Sequence, residues 1–281
     1  MTETLLSYEA AIRLGFFFGV LVLMAAWEAA TPRRQRTQTR ALRWTSNLGI
    51  VVVNTVAVRL LFPILPVALA LIADDRGWGL FNIIDAPPWL AVAVSVVLLD
   101  LLIYGQHVFV HFVPVLWRLH RMHHADLDID VTTGARFHPL EIIFSIFIKM
   151  AAVAVLGAPA AAVLIFEVVL NATSMFNHAN VNLPVALDRV LRWVVVTPDM
   201  HRVHHSVIRN ETNSNFGFNL PWWDRLFGTY RDQPRDGHDG MTIGIDEFRN
   251  PGELHLHKML VQPFIGGTGE YPIYRRDGAK K

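Results

Sequence analysis

The 281-residue chain has no cysteine. This excludes disulfides, thiolate zinc sites and cysteine-ligated iron–sulfur clusters. Charge is scarce as well. Only 17% of residues are charged against 52% hydrophobic, and mean hydropathy is +0.33. That is the composition of a membrane protein. A net charge of +1 gives no global field that would draw nucleic acid, which is excluded as an expected partner. The residues before Arg13 include Glu3 and Glu9 and no lysine or arginine. A cleaved signal needs a basic start, so the first apolar run reads as a retained anchor. No low-complexity tract is present, and no H-E-x-x-H.

What the chain does have is histidine, in a pattern. His107-Val-Phe-Val-His111 is followed by His120-Arg-Met-His123-His124, and later by His201-Arg-Val-His204-His205. On a helix, residues three and four apart share a face. Each unit therefore offers two or three imidazoles from about one turn. Neutral imidazole is the commonest protein metal ligand. Eight imidazoles exceed the four ligands of a closed zinc site and suit two metals close together.

This order of motifs, set between apolar segments, resembles the fatty acid hydroxylase/sterol desaturase superfamily of membrane di-iron oxygenases. Three further stretches match it: Arg136-Phe-His138-Pro-Leu-Glu141, Asn177-His178-Ala-Asn180, and Trp223-Asp-Arg-Leu-Phe-Gly-Thr229. The resemblance covers roughly residues 100–230. It implies two iron ions (Fe2+/Fe3+), O2 as co-substrate and a lipid substrate, none of which follows from spacing alone. It also favours His178 as a ligand. His138 is a weaker candidate, because His-Pro also marks a helix start. The short spacing between Arg33–Arg43 and the apolar runs, and the Arg136-Phe-His138-Pro motif, are somewhat similar to the alkylglycerol monooxygenase branch and to bacterial sterol-desaturase-like proteins. No haem-binding domain is evident, so electrons are expected from a separate donor, a redox protein or, in that branch, a pterin.

Apolar runs at residues 10–30, 47–73 and 89–112 each reach the roughly 20 residues of a membrane span. A fourth block, 140–176, is split by Gly157-Ala-Pro159 into a hairpin. Pro63 and Pro66 predict a kink in the second run. Residues 32–43 carry five arginines and no acid, and 74–85 form an acidic loop. The positive-inside rule puts the arginine loop in the cytoplasm. All ten histidines from His107 to His205 then fall on that face, as in a bacterial inner-membrane protein. The expected fold is an all-α membrane protein of about three spans plus a helical hairpin, with a cytoplasmic helical cap. Residues 1–178 form the membrane domain with the first two histidine motifs. Residues 179–265 form the cap with the third, and 266–281 a loose tail. Arg189, Arg192, Arg202 and Arg209 are expected beside anionic lipid, and residues 191–196 are expected either at the interface or in an ordinary amphipathic core helix. His238, His255 and His257 read as solvated.

Polar residues inside spans are costly and therefore informative. Asp100, Tyr104, His107 and His111 share one helix face, so Asp100 is expected to orient an imidazole or Tyr104. Glu167, Asn171, Ser174 and His178 repeat the spacing. Asp199 is expected to cap the His201 helix or to bond a ligand, and Asn215 to support the site. Three functions compete: an O2-dependent lipid hydroxylase or desaturase, a zinc-dependent membrane hydrolase, and a non-catalytic metal-binding or transport protein. Missing H-E-x-x-H and surplus histidine weigh against the second. Histidines at a membrane edge, where transporters use the midplane, weigh against the third.

Overall fold

The structure, a computed structural model, describes residues 7–84 and 86–274. The first six residues, Asp85 of the acidic loop and residues 275–281 of the expected tail lie outside them. Among the described residues the chain is all-helical, with two isolated β-bridges, Pro32 with Val181 and Ser206 with Ile243.

Helix α1 is Glu9–Ala30. Helix α2, Arg40–Leu61, begins earlier than the apolar run, inside the arginine loop. It does not merely kink at the prolines. Phe62, before Pro63, is extended, because a residue preceding proline is pushed out of the helical region. The helix therefore stops, and α3 restarts at Pro66 and runs to Asp75. Helix α4 is Pro88–Phe112. Val113 is extended before Pro114, which opens α5, Pro114–His124. That break turns the second histidine motif away from the axis of the first. Helices α6, Pro139–Leu156, and α7, Ala160–Asn177, form the hairpin. Gly157 ends α6 in the left-handed conformation with φ 61°, the ordinary glycine stop. A Cβ there would also stand 2.6 Å from the Trp78 carbonyl, so only glycine fits.

Five helical stretches are long and apolar enough to cross a membrane: α1, the broken stretch Arg40–Ile83, α4, α6 and α7. Their shared core includes Leu99, Ile103, Val163, Phe166, Ala70 and Val153. The third histidine motif sits on α8, Pro198–His204, which packs on α7.

Several arginines expected in the cytoplasmic loop or beside anionic lipid are interior ties. Arg43 is fully buried and reaches Asp126 through Nε and Nη2, both at 2.8 Å, and also pairs with Asp130. Burial works against the Asp126 charge, but the Arg43 and Arg136 guanidiniums hold it well below the ordinary carboxylate range. Arg34 donates to the carbonyls of His238 and Met241, and Arg33 to Asp239 at 2.6 Å. Arg202 is buried against Asp199, and Arg192 pairs with Asp188 and Asp232. Each cation finds a nearby carboxylate or carbonyl that the one-dimensional pattern does not show.

The tail is not loose up to residue 274. Trp117 donates to the Thr268 carbonyl at 3.1 Å, and Tyr271 stacks on Trp117 with centroids 5.5 Å apart. The amides of Ile273 and Tyr274 bond the His111 and Phe112 carbonyls at 3.0 and 3.2 Å. These are the last carbonyls of α4, left without intrahelical donors.

Candidate metal centre

Nine histidines converge at one end of the bundle, all buried. They fall into two groups whose nitrogens lie within 4.8 Å of one another: His107, His111, His120, His124 and His204; and His123, His178, His201 and His205. Each triplet is shared out. His120 and His124, four apart, go to the first group, and His123 between them goes to the second. From α8 and the residue that follows it, His201 and His205 go to the second group and His204 to the first. Two parallel faces of one turn thus feed two sites.

Six imidazoles are aimed from outside through Nδ1. His107 bonds the Phe216 carbonyl at 2.7 Å, His178 that of Ser174 at 2.7 Å and His204 that of Ser214 at 2.7 Å. His123 bonds the Arg136 carbonyl at 3.1 Å, His111 the Asn213 Oδ1 at 3.0 Å, and His120 the Glu141 Oε1 at 2.6 Å. All six partners can only accept, so Nδ1 carries the proton and Nε2 presents a bare lone pair inward.

Those lone pairs then face each other. His107 Nε2 is 3.1 Å from His120 Nε2, and His123 Nε2 is 3.1 Å from His178 Nε2. In both pairs each Nδ1–H is already committed, so neither ring has a proton to share. His204 Nε2 and His205 Nε2 are buried with no hydrogen-bond partner among the described residues. Two opposed lone pairs require a cation, and nitrogens 3.1 Å apart both reach a divalent ion at about 2.1 Å. The residues fit two metal ions, with five and four imidazole nitrogens. Neither group fills six positions, so coordination stays open for another ligand.

The rings are kept neutral. Burial, then neighbouring imidazoles, hold His123, His124, His201, His204 and His205 well below their ordinary 6.5. Burial takes His178 to about 3, although its bond to the Ser174 carbonyl works the other way.

His138 stands outside both groups. It is the N-cap of α6, with Nδ1 accepting from the Leu140 amide at 3.2 Å and Nε2 3.3 Å from the Leu260 carbonyl. Asp100 bonds no imidazole or Tyr104. It accepts from the Leu220 amide at 3.2 Å and from Trp223 Nε1 at 2.8 Å. Tyr104 pairs with Thr229 at 2.9 Å, Thr229 donates to Asp224 at 2.7 Å, and Asp224 holds the Phe216 and Gly217 amides. This face of α4 thus fixes the segment whose Phe216 carbonyl orients His107. Asp199 does not cap α8. Thr197 does, accepting from the Met200 amide at 3.3 Å, and Asp199 pairs with Arg202. Asn215, at φ 52°, donates to the Met200 and Arg231 carbonyls at 2.8 Å each, so it steadies α8 without touching a histidine. Glu167 pairs with Arg13 and Lys149, and Asn171 donates to the Glu167 carbonyl at 2.8 Å. His238, expected in solvent, is buried 3.6 Å from Asp199, and burial takes its pKa to about 4.

Glu141 and Asn213 were not among the expected supporting residues. An acid in the first turn of an otherwise apolar helix was the signal for Glu141. Asn213 had none, because its position depends on a loop.

Residues 92–229, which include all nine histidines, match the fatty acid hydroxylase family model. These residues form a fatty acid hydroxylase domain. A relative of the hydroxylase domain, ornithine lipid hydroxylase OlsE of Rhizobium tropici, is 32% identical over 173 residues, covering 62% of this chain and 50% of that protein. Alkylglycerol monooxygenase of Xenopus tropicalis is 27% identical over 192 residues, 66% of this chain and 41% of that one. Cholesterol 25-hydroxylase of Rattus norvegicus is 26% identical over 177 residues, 61% and 57%. The chain spans about half the length of the curated relatives it matches. No solved structure matches it.

Proposed function

We propose that this protein is an integral-membrane di-iron oxygenase that uses O2 and external electrons to hydroxylate or desaturate a lipid C–H bond. The single observation that carries this reading is the pair of buried imidazole groups with opposed Nε2 lone pairs at 3.1 Å. The names of the relatives, hydroxylases and monooxygenases of lipids, support the same reaction class. The ions would be iron, held by His107, His111, His120, His124 and His204 on one side and His123, His178, His201 and His205 on the other. Bound iron supplies O2 activation, chemistry that no side chain offers.

The chain's own residues do the rest. Glu141 puts a carboxylate on His120 Nδ1–H, and the carbonyls of Phe216, Ser174, Ser214 and Arg136 fix the other rings. Such partners raise ligand basicity and hold ring orientation. A cavity of about 420 Å³ reaches the site, with His107, His120 and Glu141 in its wall beside Ile103, Val110 and Phe137. That volume suits a small amphiphile, and Ile103, Val110 and Phe137 give it an apolar wall beside the histidines. Hydroxylation and desaturation begin with the same hydrogen abstraction, so the ligands do not choose between them. The electron donor would be a separate redox protein or a pterin.

Helices α1, α2, α4, α6 and α7 would cross the membrane with the histidine end on the cytoplasmic side. Exposed Trp193, Val194, Trp222, Leu226 and Phe227 would rest in the interface, as amphipathic surfaces do.

The test is paired lipidomics of cells with and without the gene product, with metal analysis of the purified protein. We expect a product heavier by one oxygen, or lighter by two hydrogens, that forms only with O2 and reductant. Full activity in iron-free protein, or without O2, would return the zinc hydrolase.

A further inference from the structure

The cavity that touches His107 and His120 has a second end. There its wall carries Glu9, Arg13, Arg59, Lys149 and Glu167. Arg13 bonds Glu9 at 2.8 Å and pairs with Glu167, which also pairs with Lys149. With Glu141 set aside at the histidine end, where it bonds His120, three cations stand against two carboxylates, leaving one positive charge. Arg59 is the cation left over, since it forms no ion pair among the described residues. Charge without a partner is costly among apolar helices, so this end favours an anion. Two buried acceptors in the same wall, Asn54 Oδ1 and Gln106 Oε1, also lack donors among the described residues. A cavity that took only bare hydrocarbon would have no use for either feature.

Resting on the lipid oxygenase reading, we propose that the cavity selects an amphiphile with an anionic headgroup, carboxylate or phosphate. The headgroup sits against Arg59, Arg13 and Lys149, and the chain runs toward His107 and His120. The spacing suits this. Glu141, which bonds His120, and Lys149 are eight residues apart on α6, about 12 Å of rise. That equals roughly ten bonds of extended chain, so a dodecyl chain reaches from one end to the other. Glu9, Arg13 and Arg59 lie outside the stretch shared with the family, residues 92–229. Lys149 and Glu167, by contrast, lie inside that stretch.

The experiment measures binding of dodecanoate, dodecyl phosphate, dodecanol and dodecyltrimethylammonium to the iron-loaded protein in neutral detergent by calorimetry. Either anion should bind about tenfold more tightly than dodecanol, the size of one charged hydrogen bond. The two anionic arms tell a carboxylate site from a phosphate site. Arg59→Gln should remove that preference while leaving dodecanol affinity and iron content unchanged, and Arg59→Lys should restore most of it. Because Arg59 is exposed and unpaired, its replacement leaves no buried carboxylate behind. Equal binding of anion and alcohol, or an unchanged preference in Arg59→Gln, overturns the proposal. Anion preference without any O2-dependent product would sustain it and sink the oxygenase reading. Product formation without anion preference would do the reverse.

Discussion

Each imidazole that bonds outward through Nδ1 is held in orientation by the protein alone, as the proposed metal site needs. The Glu141–His120 contact at 2.6 Å differs from the others because its acceptor is a carboxylate. Removing that charge in Glu141→Gln should lower metal affinity about 10- to 100-fold, read as faster iron loss to a chelator. His204→Ala and His123→Ala each strip one ligand from a different group. Either should bring bound iron down from two ions toward one and abolish turnover. His255→Ala, exposed and outside both groups, should change neither. At this scale the sequence was informative wherever spacing on one turn sets the geometry, as in the two triplets. It was silent on Asn213 and on the carbonyls of Phe216 and Ser214, because which carbonyl faces a ring is decided by the path of a loop.

Among the elements, short proline-started helices do the positioning. Pro114 and Pro198 open α5 and α8, each a short helix whose histidine triplet divides between the two groups. What locks α5 is the last described segment, with Tyr271 packed on Trp117. Tyr271→Ala should cost about 3 kcal/mol, the usual price of an aromatic core truncation, measured as a lower melting temperature. The buried Arg43–Asp126–Asp130 cluster joins α2 to the loop after α5. Arg43→Met would leave two buried carboxylates unpaired and should destabilise by about 4 kcal/mol. Arg189→Ala, on an exposed position, should stay within about 0.5 kcal/mol. The five apolar stretches were legible from length and hydropathy alone. The roles of the arginines were not, since a charge near a span end reads the same whether it meets lipid headgroups or a buried aspartate.

Across the whole molecule, a polar centre of nine buried imidazoles is built at one end of an apolar bundle. Its pH dependence follows from the depressed histidines. Unfolded chain protonates them near 6.5, whereas the folded chain keeps them neutral to well below that. The unfolded state therefore binds more protons in acid, and stability falls as pH drops below about 6.5. Protons also compete with metal for Nε2. Melting temperature of the metal-free protein should be flat from pH 8 to 7 and decline from pH 6.5 to 5, with iron release over the same range in the loaded protein.

The central claim is two metal ions in two all-histidine sites. Metal stoichiometry of the purified protein, taken with X-ray absorption at the iron edge, tests it most directly. Two irons per chain are expected, with a first shell of nitrogen and oxygen and the multiple scattering of imidazole. One iron or none per chain in fully active protein, or a sulfur shell, would contradict it.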